Sequence, residues 1–224
     1  MKNALMIFVK YPEPGQVKTR LTPDLSPGQA AGFHSAIAAD IIAAHSDYPD
    51  FDTIVFFSPR DRKKDFSDWL GSGTRLEIQD GADLGEREQE AFSRVLGAGG
   101  GFGYDRAVII GTDCPSLDNG KIERAFALLD DHDIVIGPAE DGGYYLIGLS
   151  ARHPDLFRGI DWGTPEVLEK TIQEARKAHL DLAMLDELYD VDTIDDLRRL
   201  AVELKAGQAT EQLPGTARFL AELF

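Results

Sequence analysis

"AVIIGTDCPSL", residues Ala107 to Leu117, decides the fold. Ala107, Val108, Ile109 and Ile110 are apolar with no polar residue between them, so both faces of this segment are buried. A strand buried on both faces belongs in a sheet covered by helices on either side. Gly111, Thr112 and Asp113 stand where the strand stops, and Pro115 cannot continue a central strand. An acid therefore sits at the carboxyl end of a buried strand, where open α/β sheets gather their ligands.

Working outward, the same kind of run recurs at "ALMIFV" (4–9), "TIVFF" (53–57), "DIVIG" (133–137) and "YYLIGL" (144–149), with weaker candidates at "RLEIQ" (75–79) and "LDLAML" (180–185). Helical patterns lie between them. Residues 26–45 open with Ser-Pro and place Phe33, Ile37, Ile41 and Ala44 at three- and four-residue steps. Residues 84–98, 118–132, 164–179 and 193–207 follow, with Asp118 as a cap and Thr193 and Asp196 spaced for a capping box. This alternation predicts an α/β fold, a three-layer α/β/α sandwich with a mainly parallel mixed sheet, in one domain over 1–224. The glycine-rich "LGAGGGFGYDR" (96–106) is expected to be a surface loop, and "LPGTARFLAELF" at the C-terminus an amphipathic end packed on its own domain.

The formal net charge is −16, which argues against nucleic acid and anionic membrane surfaces as partners. A small polyanion is still admitted, because a cleft has its own local field. The single cysteine, Cys114, allows no disulfide within the chain and reads as a small buried residue. The apolar run at 4–9 is too short for a membrane span, so a cytoplasmic protein is expected, with a homo-oligomer left open.

The loops after the strands carry the chemistry. "KYPEPGQVKTRL" (10–21) gathers Lys10, Lys18 and Arg20. Pro12 and Pro14 restrict its backbone, and Gly15 permits positive φ or close approach. Lys18 and Arg20 suit a phosphate, Arg as a planar fork and Lys as a compact charge; a solvated basic turn is the plain alternative. Asp113 is suited to a hard cation such as Mg²⁺, or to capping a turn. Asp141-Gly142-Gly143 before Tyr144 makes a hairpin turn, whose glycines also expose backbone N–H groups to a ligand. Asp190 and Asp192 flank Val191, so on an extended backbone both carboxylates project to one side. The five histidines show no metal-ligand spacing.

"KYPEPGQVKTRL", "GTDCPSL", "GPAEDGGYYLIGL" and "DVDTIDDL" together resemble the nucleotide-diphospho-sugar transferase superfamily, the GT-A fold, and within it a bacterial glycosyltransferase-like family. The resemblance runs from about Met1 to about Leu200. The opening is also similar to that of the 2-phospholactate guanylyltransferases, through Val9, Lys10, Lys18, Thr19, Arg20, Leu21 and Leu25-Ser26-Pro27. The resemblance implies a metal-dependent transferase acting on a nucleotide sugar or a nucleoside triphosphate, with an acceptor it does not identify. It implies catalytic roles for Lys18, Arg20 and Asp113, and nucleotide binding by Lys10, Gly15, Lys18, Arg20 and Thr112. Asp141, Gly142, Gly143 and Tyr144 would face the acceptor or sugar. Mg²⁺ or Mn²⁺ would sit on Asp113 and Asp192, with Asp190 the weaker match, and Asp83 and Arg87 would stand beside the cleft. Pro-Glu-Pro-Gly replaces the Gly-x-Gly-x-Arg of pyrophosphorylases, and Thr112-Asp113-Cys114 replaces the Asp-x-Asp of many glycosyltransferases. Glycosyl transfer, nucleotidyl transfer with release of pyrophosphate, and non-catalytic nucleotide binding all stay open on these residues.

Overall fold

The computed structural model describes residues 1–97, 101–207 and 212–224. Its strands are β1 Asn3–Lys10, β2 Asp52–Ser58, β3 Leu76–Ile78, β4 Arg106–Ile110, β5 Ile134–Pro138, β6 Tyr144–Leu149 and β7 Leu182–Met184. The helices are α1 Pro27–His45, α2 Lys63–Leu70, α3 Leu84–Val95, α4 Asn119–Leu128, α5 Val167–Lys177, α6 Ile194–Lys205 and α7 Pro214–Leu223. The strands form one sheet in the order β3-β2-β1-β4-β6-β5-β7. Only β6 runs against its neighbours, β4 and β5; every other pairing is parallel. The expected mainly parallel mixed sheet is therefore the one observed.

Each central strand feeds two cores, as unbroken apolar runs require. Leu5, Ile7 and Val9 of β1 and Val108 and Ile110 of β4 join Phe33 and Ile37 of α1, Phe126 of α4 and Leu200 of α6. Ala4, Met6, Ala107 and Ile109 point the other way, to Phe92 and Val95 of α3 and Ala175 of α5. The helix starts follow their sequence signals. Ser26 and Gln29 form a capping box with Pro27 at the first turn, Asp118 accepts from Lys121 N at 2.9 Å, and Thr193 and Asp196 form a second box. The hydropathy pattern does not mark α2, which has only eight residues and buries only Phe66 fully.

The C-terminal segment packs on its own chain. Phe219 of α7 meets Phe33 of α1 with ring centroids 6.2 Å apart, and Asp40 accepts from Gly215 N and Thr216 N at 3.1 and 2.7 Å. Residues 98–100 of the glycine-rich stretch lie outside the described residues. Among the described residues no helix is long and apolar enough to cross a membrane. The chain leaves β1 toward β2 on one side, while β4 pairs with β1 on the other. The carboxyl ends of β1 and β4 thus flank a topological switch point, and the loops there open into a common crevice.

Candidate active site

Beyond Lys10 the chain crosses the mouth of the sheet. Gly15 adopts φ 80°, a left-handed conformation that glycine takes without strain. Lys18 is also left-handed, at φ 47° and ψ 43°, which is uncommon for a lysine. Its side chain is only 3% exposed. Nζ donates to Val191 O at 2.6 Å and to Asp192 Oδ1 at 3.1 Å, and lies 2.8 Å from Asp113 Oδ1. Three oxygens thus surround a group with three N–H donors.

Backbone contacts hold the acids in place. Val191 N donates to Asp113 O at 2.9 Å, which joins the end of β4 to the segment before α6. Asp192 N donates to Asp196 Oδ2 at 3.2 Å, in the first turn of α6. Arg20, in the short 3₁₀ turn Thr19–Leu21, is 61% exposed and reaches Asp192 Oδ2 at 3.1 Å.

Burial pushes the Asp113 carboxyl up, but the Lys18 ammonium, with smaller help from His34 and Lys10, outweighs it and holds the group below the usual carboxylate range. Lys18 responds in kind: burial lowers its pKa, and Asp113 and Asp192 together raise it above the ordinary lysine value. Asp190 takes part in no ion pair among the described residues. Burial, then the charges of Asp113 and Asp141, push it up to about 7. Asp113 Oδ1 is buried and faces the Lys18 ammonium at 2.8 Å, while 42% of the side chain stays exposed. Four carboxylates therefore crowd around two cations, Lys18 and Arg20. Among the described residues, no three acidic, histidine or cysteine side chains are placed to hold a metal by themselves. Asp113 and Asp192 instead offer the hard oxygen donors that Mg²⁺ takes in ones and twos, with substrate phosphate and water completing its shell.

The opposite wall is built on the β5–β6 hairpin. Gly142 N donates to Ala139 O at 3.1 Å, and Gly143 N to Asp141 Oδ1 at 2.9 Å. At Gly142, φ is 89° and a Cβ would lie 2.2 Å from Pro165 O, so this turn packs against protein backbone and not against open cleft. Tyr144 begins β6, and its hydroxyl donates to Glu88 Oε2 of α3 at 2.6 Å. Glu88 is 3% exposed; burial pushes its carboxyl up to about 8, and the hydrogen bond offsets only part of that. Trp162 stands edge-on to Tyr144 with ring centroids 6.5 Å apart. It lies so close to Gly85 that a Cβ there would sit 2.5 Å from the indole. Tyr144, Trp162, Leu84, Pro165 and Val167, with Arg20, Asp141, Asp190 and Asp192, line a cavity of about 310 Å³.

Of the residues expected from sequence, Lys18, Arg20, Asp113 and Asp192 come together, and Asp141, Gly143 and Tyr144 line the adjoining cavity. Lys18 faces the acids and does not lie on an open phosphate loop. Lys10 is exposed at the end of β1 and forms no ion pair among the described residues. Thr112 is 3% exposed, which keeps its side chain out of the open crevice. Asp83 and Arg87 serve the backbone instead of that crevice: Asp83 Oδ1 accepts from Glu86 N at 2.9 Å, and Arg87 Nε donates to Gly81 O at 3.0 Å. Trp162 escapes a search confined to strand ends, because it stands far beyond β6, and Leu84 because it lies past the loop after β3, in the first turn of α3. The available signal was a tryptophan in "GIDWGTP", just ahead of a helix start.

A bacterial family described as "Uncharacterized protein conserved in bacteria" (DUF2064) matches residues 41–164, a span that includes Asp113 and the Asp141–Tyr144 turn. The 2-phospho-L-lactate guanylyltransferase of Methanothermobacter thermautotrophicus is 26% identical over 199 residues, covering 88% of this chain and 83% of that protein. A crystal structure from Desulfovibrio desulfuricans G20, named as a nucleotide-diphospho-sugar transferase, is 34% identical with a TM-score of 0.89, over 99% of this chain and 95% of that one. Rv0371c of Mycobacterium tuberculosis H37Rv, solved in complex with manganese, shares the fold at a TM-score of 0.52 and 15% identity, over 89% of this chain and 98% of that one.

Proposed function

The chain belongs to the DUF2064 family, and on that premise we propose that it is a metal-assisted transferase acting at the phosphates of a nucleoside triphosphate or nucleotide sugar. The observation that carries this reading is the convergence of Lys18, Asp113 and Asp192 at the switch point between β1 and β4. The guanylyltransferase relative and the nucleotide-diphospho-sugar transferase neighbour support nucleotide-transferring chemistry.

Asp113 and Asp192 would hold Mg²⁺ or Mn²⁺. Bound there, the cation would supply positive charge to phosphate oxygens as charge moves to the leaving group. Lys18 pairs with both carboxylates and fixes them, so the site needs little rearrangement when substrate arrives. Arg20 is exposed, and its fork is accessible to a phosphate. Lys10 adds positive field at the mouth, and Gly15 lets the loop come close to the substrate. In phosphate transfer the protein mainly positions groups and supplies a fixed field, which is what this cluster does. Asp141, Gly143 and Tyr144 face the acceptor side. We read residues 1–224 as one domain working in the cytoplasm, since one sheet joins all its strands and its single cysteine is free and buried.

The test is product analysis with Mn²⁺ and a panel of nucleoside triphosphates and nucleotide sugars. Pyrophosphate release identifies nucleotidyl transfer, and nucleoside diphosphate release identifies glycosyl transfer. Asp113→Asn is expected to abolish either. A complete absence of thermal stabilisation by every nucleotide, with and without Mn²⁺, would refute the reading.

A further inference from the structure

The cavity beside the charge cluster has a composition of its own. Its volume of about 310 Å³ is that of a small-molecule pocket. One wall is apolar, made by the rings of Tyr144 and Trp162 with Leu84 and Val167, and the other carries Asp141 and Asp190. Among the described residues Arg20 is the one cation on the lining, and Asp192 already pairs with it at 3.1 Å. The Tyr144 hydroxyl is engaged by Glu88 at 2.6 Å, so a ligand meets the ring and not the polar tip. The wall is also fixed. Gly85 leaves no room between α3 and Trp162, and Leu168 N donates to Gly142 O at 3.0 Å, tying the start of α5 to the hairpin.

We propose that this cavity is the acceptor subsite and takes a neutral polyhydroxylated compound with an apolar ring face, while rejecting acceptors that bear phosphate or carboxylate. The proposal rests on the transferase reading above. Hydroxyls donate, and carboxylates such as Asp141 accept. The C–H face of a sugar or an aryl group lies well on Tyr144 and Trp162. An anionic acceptor would meet like charge, and among the described residues the one lining cation, Arg20, is shared between Asp192 and the nucleotide phosphate assigned to it above. The selectivity therefore differs from that of the guanylyltransferase relative, whose name carries a phosphorylated acid.

Trp162 is a built-in reporter. The only other tryptophan, Trp69, packs against Phe66 and Tyr11. In a Trp69→Phe background, phenyl β-D-glucopyranoside should change Trp162 emission saturably. Its 6-phosphate should do so with affinity weaker by about tenfold, and Asp141→Lys should close most of that gap. Saturation-transfer NMR of both probes on the unsubstituted chain should give the same ranking without the substitution. Equal or tighter binding of the phosphorylated probe, or no saturable response to the neutral one, would overturn the proposal. Thermal shift by nucleotide on the same protein keeps the two readings apart. Nucleotide stabilisation with a silent neutral probe removes the cavity proposal alone. A probe response without nucleotide stabilisation upholds the cavity's selectivity and removes the transferase.

Discussion

Lys18→Met isolates the charge at the centre of the site, because methionine keeps the length of the stem and removes the ammonium. Three oxygens lose their partner at once: Val191 O, Asp113 Oδ1 and Asp192 Oδ1. Breaking one partner of a fully buried pair costs about 3–5 kcal/mol. Here Asp113 and Asp192 are 42% and 31% exposed, so water can rehydrate them and the ionic part falls to about 2 kcal/mol. The orphaned carbonyl adds about 1 kcal/mol, for a total of about 3 kcal/mol. The loss depends on pH. Lys18 holds the Asp113 carboxyl below its usual range, so the stabilisation is present above the ordinary carboxylate pKa and fades as pH falls through the depressed folded value. Urea denaturation should therefore show the widest gap between parent and variant near neutral pH, narrowing toward acid. Millimolar Mn²⁺ should recover part of the loss in the variant, whose two carboxylates then lack any bridging cation. Equal stability of parent and variant at neutral pH, or a gap that stays constant into acid, would show that Lys18 does not hold this cluster together.

Other substitutions separate binding from folding. Arg20→Ala should change stability by less than about 1 kcal/mol, since the pair with Asp192 is exposed, while weakening nucleotide binding by about tenfold in calorimetry; unchanged affinity removes Arg20 from the phosphate site. Glu88 titrates near 8 when folded against an ordinary 4.5, so its contribution is whole below 4.5 and is lost as pH rises to about 8. Glu88→Gln should therefore gain on the parent across that window, by on the order of 3 kcal/mol at its upper end, and parallel melting curves over pH would contradict the assignment. Gly142→Ala combines a positive φ with a Cβ placed 2.2 Å from Pro165 O, and calorimetry should show destabilisation of about 3 kcal/mol or more.

The strands were legible because burial on both faces leaves a run with no polar alternation, as in β1 and β4. Helix starts were legible where a short polar side chain satisfies free N–H groups, at Ser26, Asp118 and Thr193. Helix α2 was not, because its apolar positions are few and tertiary packing on Phe57 and Tyr11 supplies what local pattern lacks. At the site, Asp113 was legible from its place at the end of β4. Lys18 was found, but with a different partner in view: its acceptors lie more than ninety residues away, and nothing local announces them. The rise of Asp190 to about 7 was hidden in the same way, since it comes first from burial and then from Asp113 and Asp141, which stand on separate loops. Trp162 was missed because its role depends on the absence of a side chain at Gly85.

The bond from Lys18 to Val191 spans 173 positions. A chain emerging from the ribosome presents β1 and Lys18 first, Asp113 after β4, and Val191 and Asp192 only after β7. Until then the ammonium has one of its three acceptors at most, and the left-handed backbone at Lys18 has little to hold it. The charge cluster therefore closes only after β7 has been made, and a nascent chain that stops short of Val191 would lack it even with β1 to β7 in place. Competence of the site thus waits on the segment that follows the sheet.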